Sequence, residues 1–276
     1  MTVSVALIYP DLLGTYGDGG NAAVLAQRLR WRGYQAEVLT VPAGSPVPTS
    51  CDIYVIGGGE DLPQGLAASK LESSHALHSA VERGAVVLAV CAGLQIVGES
   101  FVGPEGKAVP GLGLLGCVTS TTPAPRAIGE LLVEPAAQWA ADGLDEQLTG
   151  FENHGAVTDL LPGTSPVGQV VVGVGNKDGT IEGAVRGRVF GTYLHGPVLA
   201  RNPQLADLLL KWALGELPAL DERYDFEPKA LHAERRRNGP LERRLGGARE
   251  EASAMKARWA TLVRRSREAV GAIKAP

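Results

Sequence analysis

Short apolar runs alternate with longer amphipathic stretches through the first hundred residues. Residues 3–9, 36–41, 52–56 and 85–90 read as strands: they are brief, rich in β-branched side chains and bounded by turn formers. Between them, 21–32 and 69–83 repeat apolar positions at helical spacing, with Asn21 as a candidate cap and Gly33 as a stop. Near-continuous hydrophobicity within the strands predicts burial on both faces, and so a mainly parallel sheet covered by helices. Beyond residue 110 the runs shorten. Residues 116–120, 170–174, 180–185 and 189–193 predict antiparallel strands closing a mixed sheet. A last helix is predicted over 203–214, with Leu205, Leu208, Leu209 and Trp212 on one stripe. The expected class is α/β, and ligands in such folds gather at the carboxyl ends of the strands.

Two features fall at such ends. The 52–56 strand runs into Gly57-Gly58-Gly59, and the 85–90 strand runs into Cys91-Ala92-Gly93-Leu94-Gln95, which opens another helix. A strand turning sharply into a helix presents the turning side chain at the sheet edge, above amides that favour a thiolate. Cys91 is thus a candidate nucleophile rather than a core cysteine. Such a nucleophile needs a base and donors for an oxyanion. His195 ends the 189–193 strand region and is placed to meet Cys91 across the sheet edge. His75 and His78 share a helix and read as surface or packing residues, His232 reads as solvated, and His154 lies in a polar loop where it could bind ligand or brace the site. The amides of Ala92 and Gly59 are the candidate oxyanion donors. Arg126, alone in a polar loop, reads either as a solvated side chain or as a guanidinium able to hold a carboxylate.

Bulk properties narrow the setting. The 276 residues are 45% hydrophobic, enough for a core without staples, and the three cysteines (Cys51, Cys91, Cys117) form no even framework. No run nears the roughly 18 apolar residues of a membrane span. A cytoplasmic location with free thiols is expected. Residues 1–220 hold 12 Lys and Arg against 21 Asp and Glu, whereas 221–276 hold 14 against 9. This shift, with three spaced prolines, places a globular domain at 1–215 and a Pro/Arg-rich linker and extension at 216–276. In the extension, Leu241, Leu245, Trp259, Leu262 and Val263 could share one stripe of a basic helix, for docking a partner or the inner membrane face; a solvated tail is the plainer reading. Gly111-Leu-Gly113-Leu-Leu-Gly116 fits a dinucleotide pattern but lacks an opening helix. No phosphate loop for ATP and no metal-ligand spacing occurs, so no metal or cofactor is expected in this chain, and no nucleic-acid partner.

Together, Gly57-Gly58-Gly59, Cys91-Ala-Gly-Leu-Gln95 and Gly191-Thr-Tyr-Leu-His195-Gly196 resemble the class I glutamine amidotransferases of the cobyric acid synthase-like branch. Tyr9-Pro-Asp-Leu-Leu, Tyr16-Gly-Asp-Gly-Gly-Asn21 and Gly150-Phe-Glu-Asn-His154 extend the likeness to the GatD type, glutaminase subunits of lipid II isoglutaminyl synthase. The resemblance spans about 3–215 and implies a flavodoxin-like fold, with a mixed, mostly parallel sheet. It implies hydrolysis of glutamine through a thioester on Cys91 with His195 as base and then acid, Gln95 and Arg126 holding the substrate. It also implies a heterodimer with a MurT-like Mur ligase that uses ATP and Mg²⁺ to amidate lipid II. Many class I enzymes carry a Glu two residues after the catalytic His; here position 197 is Pro. Either a Cys–His dyad suffices or the partner supplies the carboxylate at the interface; the second is the expectation, with low glutaminase activity for the chain alone and higher activity in the complex. Other readings are a glutaminase for cobyric acid-type amidation, a stand-alone cysteine hydrolase, and a non-catalytic module that kept the fold.

Overall fold

The computed structural model describes residues 2–103 and 106–239. The chain runs through β1 (Thr2–Ile8), α1 (Gly20–Trp31), β2 (Gln35–Val41), β3 (Ile53–Ile56), α2 (Asp61–Ser74), α3 (Ala76–Glu82), β4 (Val86–Val90) and α4 (Ala92–Val97). It continues through β5 (Ser100–Val102), β6 (Ala108–Pro110), β7 (Cys117–Thr121), β8 (Ala127–Pro135), β9 (Leu148–His154), β10 (Ala156–Leu160) and β11 (Gly168–Val172). After β12 (Ile181–Glu182), β13 (Ala184–Arg186) and β14 (Val189–Thr192) come α5 (Val198–Arg201) and α6 (Pro203–Leu214), and then a helix over 222–239, here α7.

Six strands make the main sheet in the order β13-β14-β4-β3-β1-β2, parallel except for β13. Its central strands β3 and β4 are buried at every position, which is why they read as unbroken apolar runs. Helix α1 packs its Ala22, Leu25 and Leu29 into the same core, and α6 adds Leu205, Leu208 and Leu209.

Several expectations change. The strands expected to close a mixed sheet instead divide. β14 joins β4 in parallel, while β7 and β11 fall in two separate four-stranded sheets, β10-β7-β5-β6 and β12-β11-β8-β9. The helix expected over 69–83 begins at Asp61 and breaks at His75, whose φ of 48° ends α2 and starts α3. Asn21 does not cap α1; it is buried inside the helix, and its Oδ1 accepts the Leu199 N–H at 2.9 Å. That bond ties α1 to the segment following His195.

Part of the basic extension is folded onto the domain. Arg28 of α1 donates to Asp207 of α6 through Nε and Nη2, both at 2.7 Å, and to Asp225 of α7 at 3.1 Å. Trp31 and Tyr224 stack, with ring centroids 5.4 Å apart. His232, expected in solvent, is buried and meets the Arg201 carbonyl at 2.8 Å through Nδ1. Leu241, Leu245, Trp259, Leu262 and Val263 lie outside the described residues. No described helix is long and apolar enough to cross a membrane.

Candidate active site

Cys91 stands between β4 and α4 with φ 53° and ψ −106°. A non-glycine residue held there stores roughly 1–3 kcal/mol of backbone strain. Bonds on both sides hold it: its N–H donates to the Thr192 carbonyl at 2.8 Å, and its own carbonyl accepts the Gln95 N–H at 3.1 Å. Gly93 allows the sharp turn, because a Cβ there would sit 2.6 Å from the Ile56 carbonyl oxygen. The helix start therefore rests directly on the end of β3.

His195 arrives on the neighbouring strand, since Thr192 of β14 pairs with Val90 of β4. It is only 1% exposed, and its Nδ1 lies 3.2 and 3.4 Å from the two carboxylate oxygens of Asp18. Asp18 is fully buried in the loop between β1 and α1, and also accepts the Gly58 N–H at 2.8 Å. A proton held on Nδ1 by that carboxylate leaves Nε2 as the basic nitrogen. Burial opposes the charged imidazolium, but Asp18 and the adjacent Cys91 outweigh it, and the His195 pKa is raised to about 9. Gly58 explains how three side chains come so close. A Cβ on it would lie 2.8 Å from His195 Cε1, 3.2 Å from Asp18 Oδ2 and 3.5 Å from Cys91 Cβ. A partner's carboxylate is thus not needed to occupy the position beside His195; this chain already fills it from 177 residues upstream.

A cleft of about 310 Å³ opens over this group, and it brings together every predicted site residue: Gly59, Cys91, Ala92, Gln95, Arg126, His154 and His195. Their roles divide within it. Gln95 is committed inward, its Oε1 accepting from Gln64 at 2.8 Å and its Nε2 donating to Tyr193 Oη at 3.2 Å. His154 stacks on Tyr193 at 3.9 Å, with Nδ1 3.0 Å from the Ala156 carbonyl, so it braces the cleft floor. Arg126 is exposed at the cleft wall and donates Nε and Nη2 to the side-chain and backbone oxygens of Asn153. His75 and His78 lie elsewhere, at the α2–α3 junction and on α3, and do not line the cleft. Among the described residues no group of His, Cys, Asp and Glu is placed to hold a metal ion.

Four residues near the site escaped the sequence reading. Asp18 and Tyr16 sit in the quoted Tyr16-Gly-Asp-Gly-Gly-Asn21 stretch, where a lone acid among glycines after a parallel strand was the available signal. Asn153 belongs to the quoted Gly150–His154 stretch. Glu182 gave no signal. It is buried and anchors the approach to His195, accepting Thr192 Oγ1 at 2.8 Å and the Tyr193 N–H at 2.7 Å. Burial raises its pKa to about 7.

Residues 4–203 match the family model of the CobB/CobQ-like glutamine amidotransferase domain. The chain belongs to that family. It is 35% identical to the lipid II isoglutaminyl synthase (glutamine-hydrolyzing) subunit GatD of Streptococcus pneumoniae, over 77% of this chain and 80% of that one. Against the GatD subunit of Staphylococcus aureus it is 34% identical, over 81% and 87%. Cobyric acid synthase of Methylorubrum populi is 32% identical over 66% of this chain, but only 36% of that protein is matched. A solved glutamine amidotransferase at 17% identity shares the fold, with a TM-score of 0.52 over 76% of this chain and 98% of the other. As a member of this family the chain is a glutamine amidotransferase.

Proposed function

We propose that this amidotransferase is the glutamine-hydrolysing subunit of a lipid II isoglutaminyl synthase, and that Cys91, His195 and Asp18 carry the hydrolysis. The observation that carries the chemistry is the buried His195 imidazole held between Asp18 and the strained Cys91 elbow. The similarity to two GatD subunits supports the synthase assignment.

In this reading His195 takes the Cys91 proton, and the thiolate attacks the side-chain amide carbon of glutamine. The amide oxygen becomes an oxyanion facing the backbone N–H groups of Ala92 and Gly59. The imidazolium then returns its proton to the departing nitrogen, so the C–N bond breaks and ammonia leaves a γ-glutamyl thioester on Cys91. Water, deprotonated by His195, attacks the thioester carbon; the C–S bond breaks and glutamate departs. Asp18 keeps the imidazole in the tautomer and orientation both half-reactions need. Arg126 holds the substrate's α-carboxylate. The ammonia passes to a MurT-like partner ligase, which would hold ATP and Mg²⁺ and supply the activation of the stem-peptide carboxylate of lipid II.

Glutamate release from glutamine, measured for wild type and Cys91→Ala with and without a co-expressed MurT-like ligase, tests the reading. Cys91-dependent release together with amidated lipid II in the complex is expected. Release without lipid II amidation would overturn the synthase assignment in favour of another acceptor, such as the corrinoid acid suggested by the cobyric acid synthase relatives. No Cys91-dependent release in either condition would overturn the mechanism. Because Asp18 lies within this chain, some release is expected without the ligase.

A further inference from the structure

The β8–β9 hairpin touches both ends of the cleft. At one end, Asn153 on β9 accepts Nε and Nη2 of Arg126, leaving other guanidinium donors for a carboxylate. At the other end β9 reaches His195 twice. Its Phe151 exchanges backbone hydrogen bonds with His195, N–H to carbonyl in both directions, at 3.1 and 2.9 Å. Its Asn153 donates Nδ2 to the hydroxyl of Tyr16, whose ring lies over the His195 imidazole with centroids 4.7 Å apart. Tyr16 takes an unusual backbone to get there, with φ 61°, and remains 42% exposed. A surface tyrosine held in that conformation and bonded to the arginine's own partner forms a continuous path from Arg126 to the general base.

We propose that Asn153 and Tyr16 are positioning residues coupling recognition of the substrate's α-carboxylate at Arg126 to the placement of His195, so that an amide lacking that carboxylate is turned over slowly even when bound. This rests on the glutaminase reading above. A carboxylate on Arg126 fixes the guanidinium plane; Asn153, gripped by two of its N–H groups, is fixed with it. Tyr16 is thereby fixed over His195. Small displacements of a general base are costly to rate, so this path acts on kcat rather than on binding alone.

Tyr16→Phe keeps the ring over His195 and deletes only the hydroxyl, and Asn153→Ala breaks the same path without altering Tyr16. In the full chain, with the partner ligase present, each variant should lower kcat for L-glutamine about tenfold with KM within about twofold. With 4-aminobutanamide, which is glutamine without its α-carboxylate, the variants should match wild type. Arg126→Ala should lower kcat for glutamine, and adding Tyr16→Phe to it should cost nothing further. Alkylation of Cys91 by iodoacetamide, staying within about twofold throughout, would show that the nucleophile is in place. Equal losses on both amides, a loss confined to KM, or losses that multiply in the Arg126 double variant would overturn the coupling. A wild type with no Cys91-dependent ammonia release would instead overturn the glutaminase reading itself.

Discussion

The carboxyl ends of β4 and β14 deliver Cys91 and His195 on strands buried from end to end, whereas the β8–β9 hairpin and the residue before it bring Asn153, half-buried, and Arg126, exposed, to the same cleft. The two regions differ in how position is enforced. In the parallel sheet, backbone pairing and close packing leave a side chain nowhere else to go: Thr192 holds the Cys91 amide, and Gly58 leaves only enough room for three side chains. At the hairpin, position depends on side-chain hydrogen bonds between exposed or half-buried residues. On the mechanism proposed above, chemistry is built into the rigid half and recognition into the adjustable half. Substitutions in the first half should remove turnover outright, and those in the second should change which amide is preferred.

Gly58→Ala gives the largest test. Its methyl would meet His195 Cε1 at 2.8 Å and Asp18 Oδ2 at 3.2 Å, and Gly58 is itself held, its N–H donating to Asp18 and its carbonyl accepting the Thr15 N–H. Turnover should fall by about three orders of magnitude while the far-ultraviolet circular dichroism stays that of the wild type. Near-normal turnover would break the comparison, because it would mean that the parallel half tolerates a shift of its catalytic groups.

Asp18→Asn comes next. An amide can still accept the Gly58 N–H but no longer holds the Nδ1 proton as a carboxylate does, so a loss of roughly a hundredfold in kcat is expected. Its pH signature is separate from any effect on fold. In the wild type His195 can hold the proton that it gives to the departing nitrogen until pH rises through about 9, so the Cys91-dependent rate should hold to that point and decline above it. Without the carboxylate, burial dominates, the imidazole becomes less basic, and the alkaline limb should move to lower pH. An unmoved limb would show that Asp18 contributes packing alone.

The same division explains what could be read from the residues. Cys91, Gly59, Ala92 and His195 were legible because each ends an apolar strand, and parallel sheets place such ends along one edge. Asp18 was not, because the family pattern places the orienting carboxylate two residues beyond His195, whereas this chain supplies one before the nucleophile, on a loop that β1 delivers beside β3. The hairpin was missed altogether. Residues 127–135 neither alternate cleanly nor form an apolar run, because β8 is buried over only part of its length: Leu131, Leu132 and Val133 are buried while Ile128 is exposed. His232 misled for a related reason, since a strongly basic composition conceals the few α7 positions that turn inward.

Arg126→Lys probes the adjustable half. Lysine keeps the charge but cannot present a planar pair of donors to a carboxylate while also holding both Asn153 oxygens. The kcat/KM for glutamine should drop about thirtyfold, while that for 4-aminobutanamide holds. If both amides suffered alike, Arg126 would belong with the rigid half, and the division between chemistry and recognition would have to be redrawn.

The smallest effect is expected where neither half is touched. Helix α7 is fastened to α1 by the Arg28–Asp225 ion pair, beside the Arg28–Asp207 pair that ties α1 to α6, and by the near-parallel stack of Trp31 on Tyr224, whose planes differ by 9°. Tyr224→Ala removes the stack and leaves the ion pairs, which should cost about 1 kcal/mol. For a chain of this size that lowers Tm by roughly 2–4 °C. Turnover and amide preference should stay at wild-type values, because Tyr224 reaches the cleft only through the length of α1. A change in kcat would show that α1 transmits strain to the Asp18 loop at its amino end, and the rigid half would then extend to the extension that the family match leaves out.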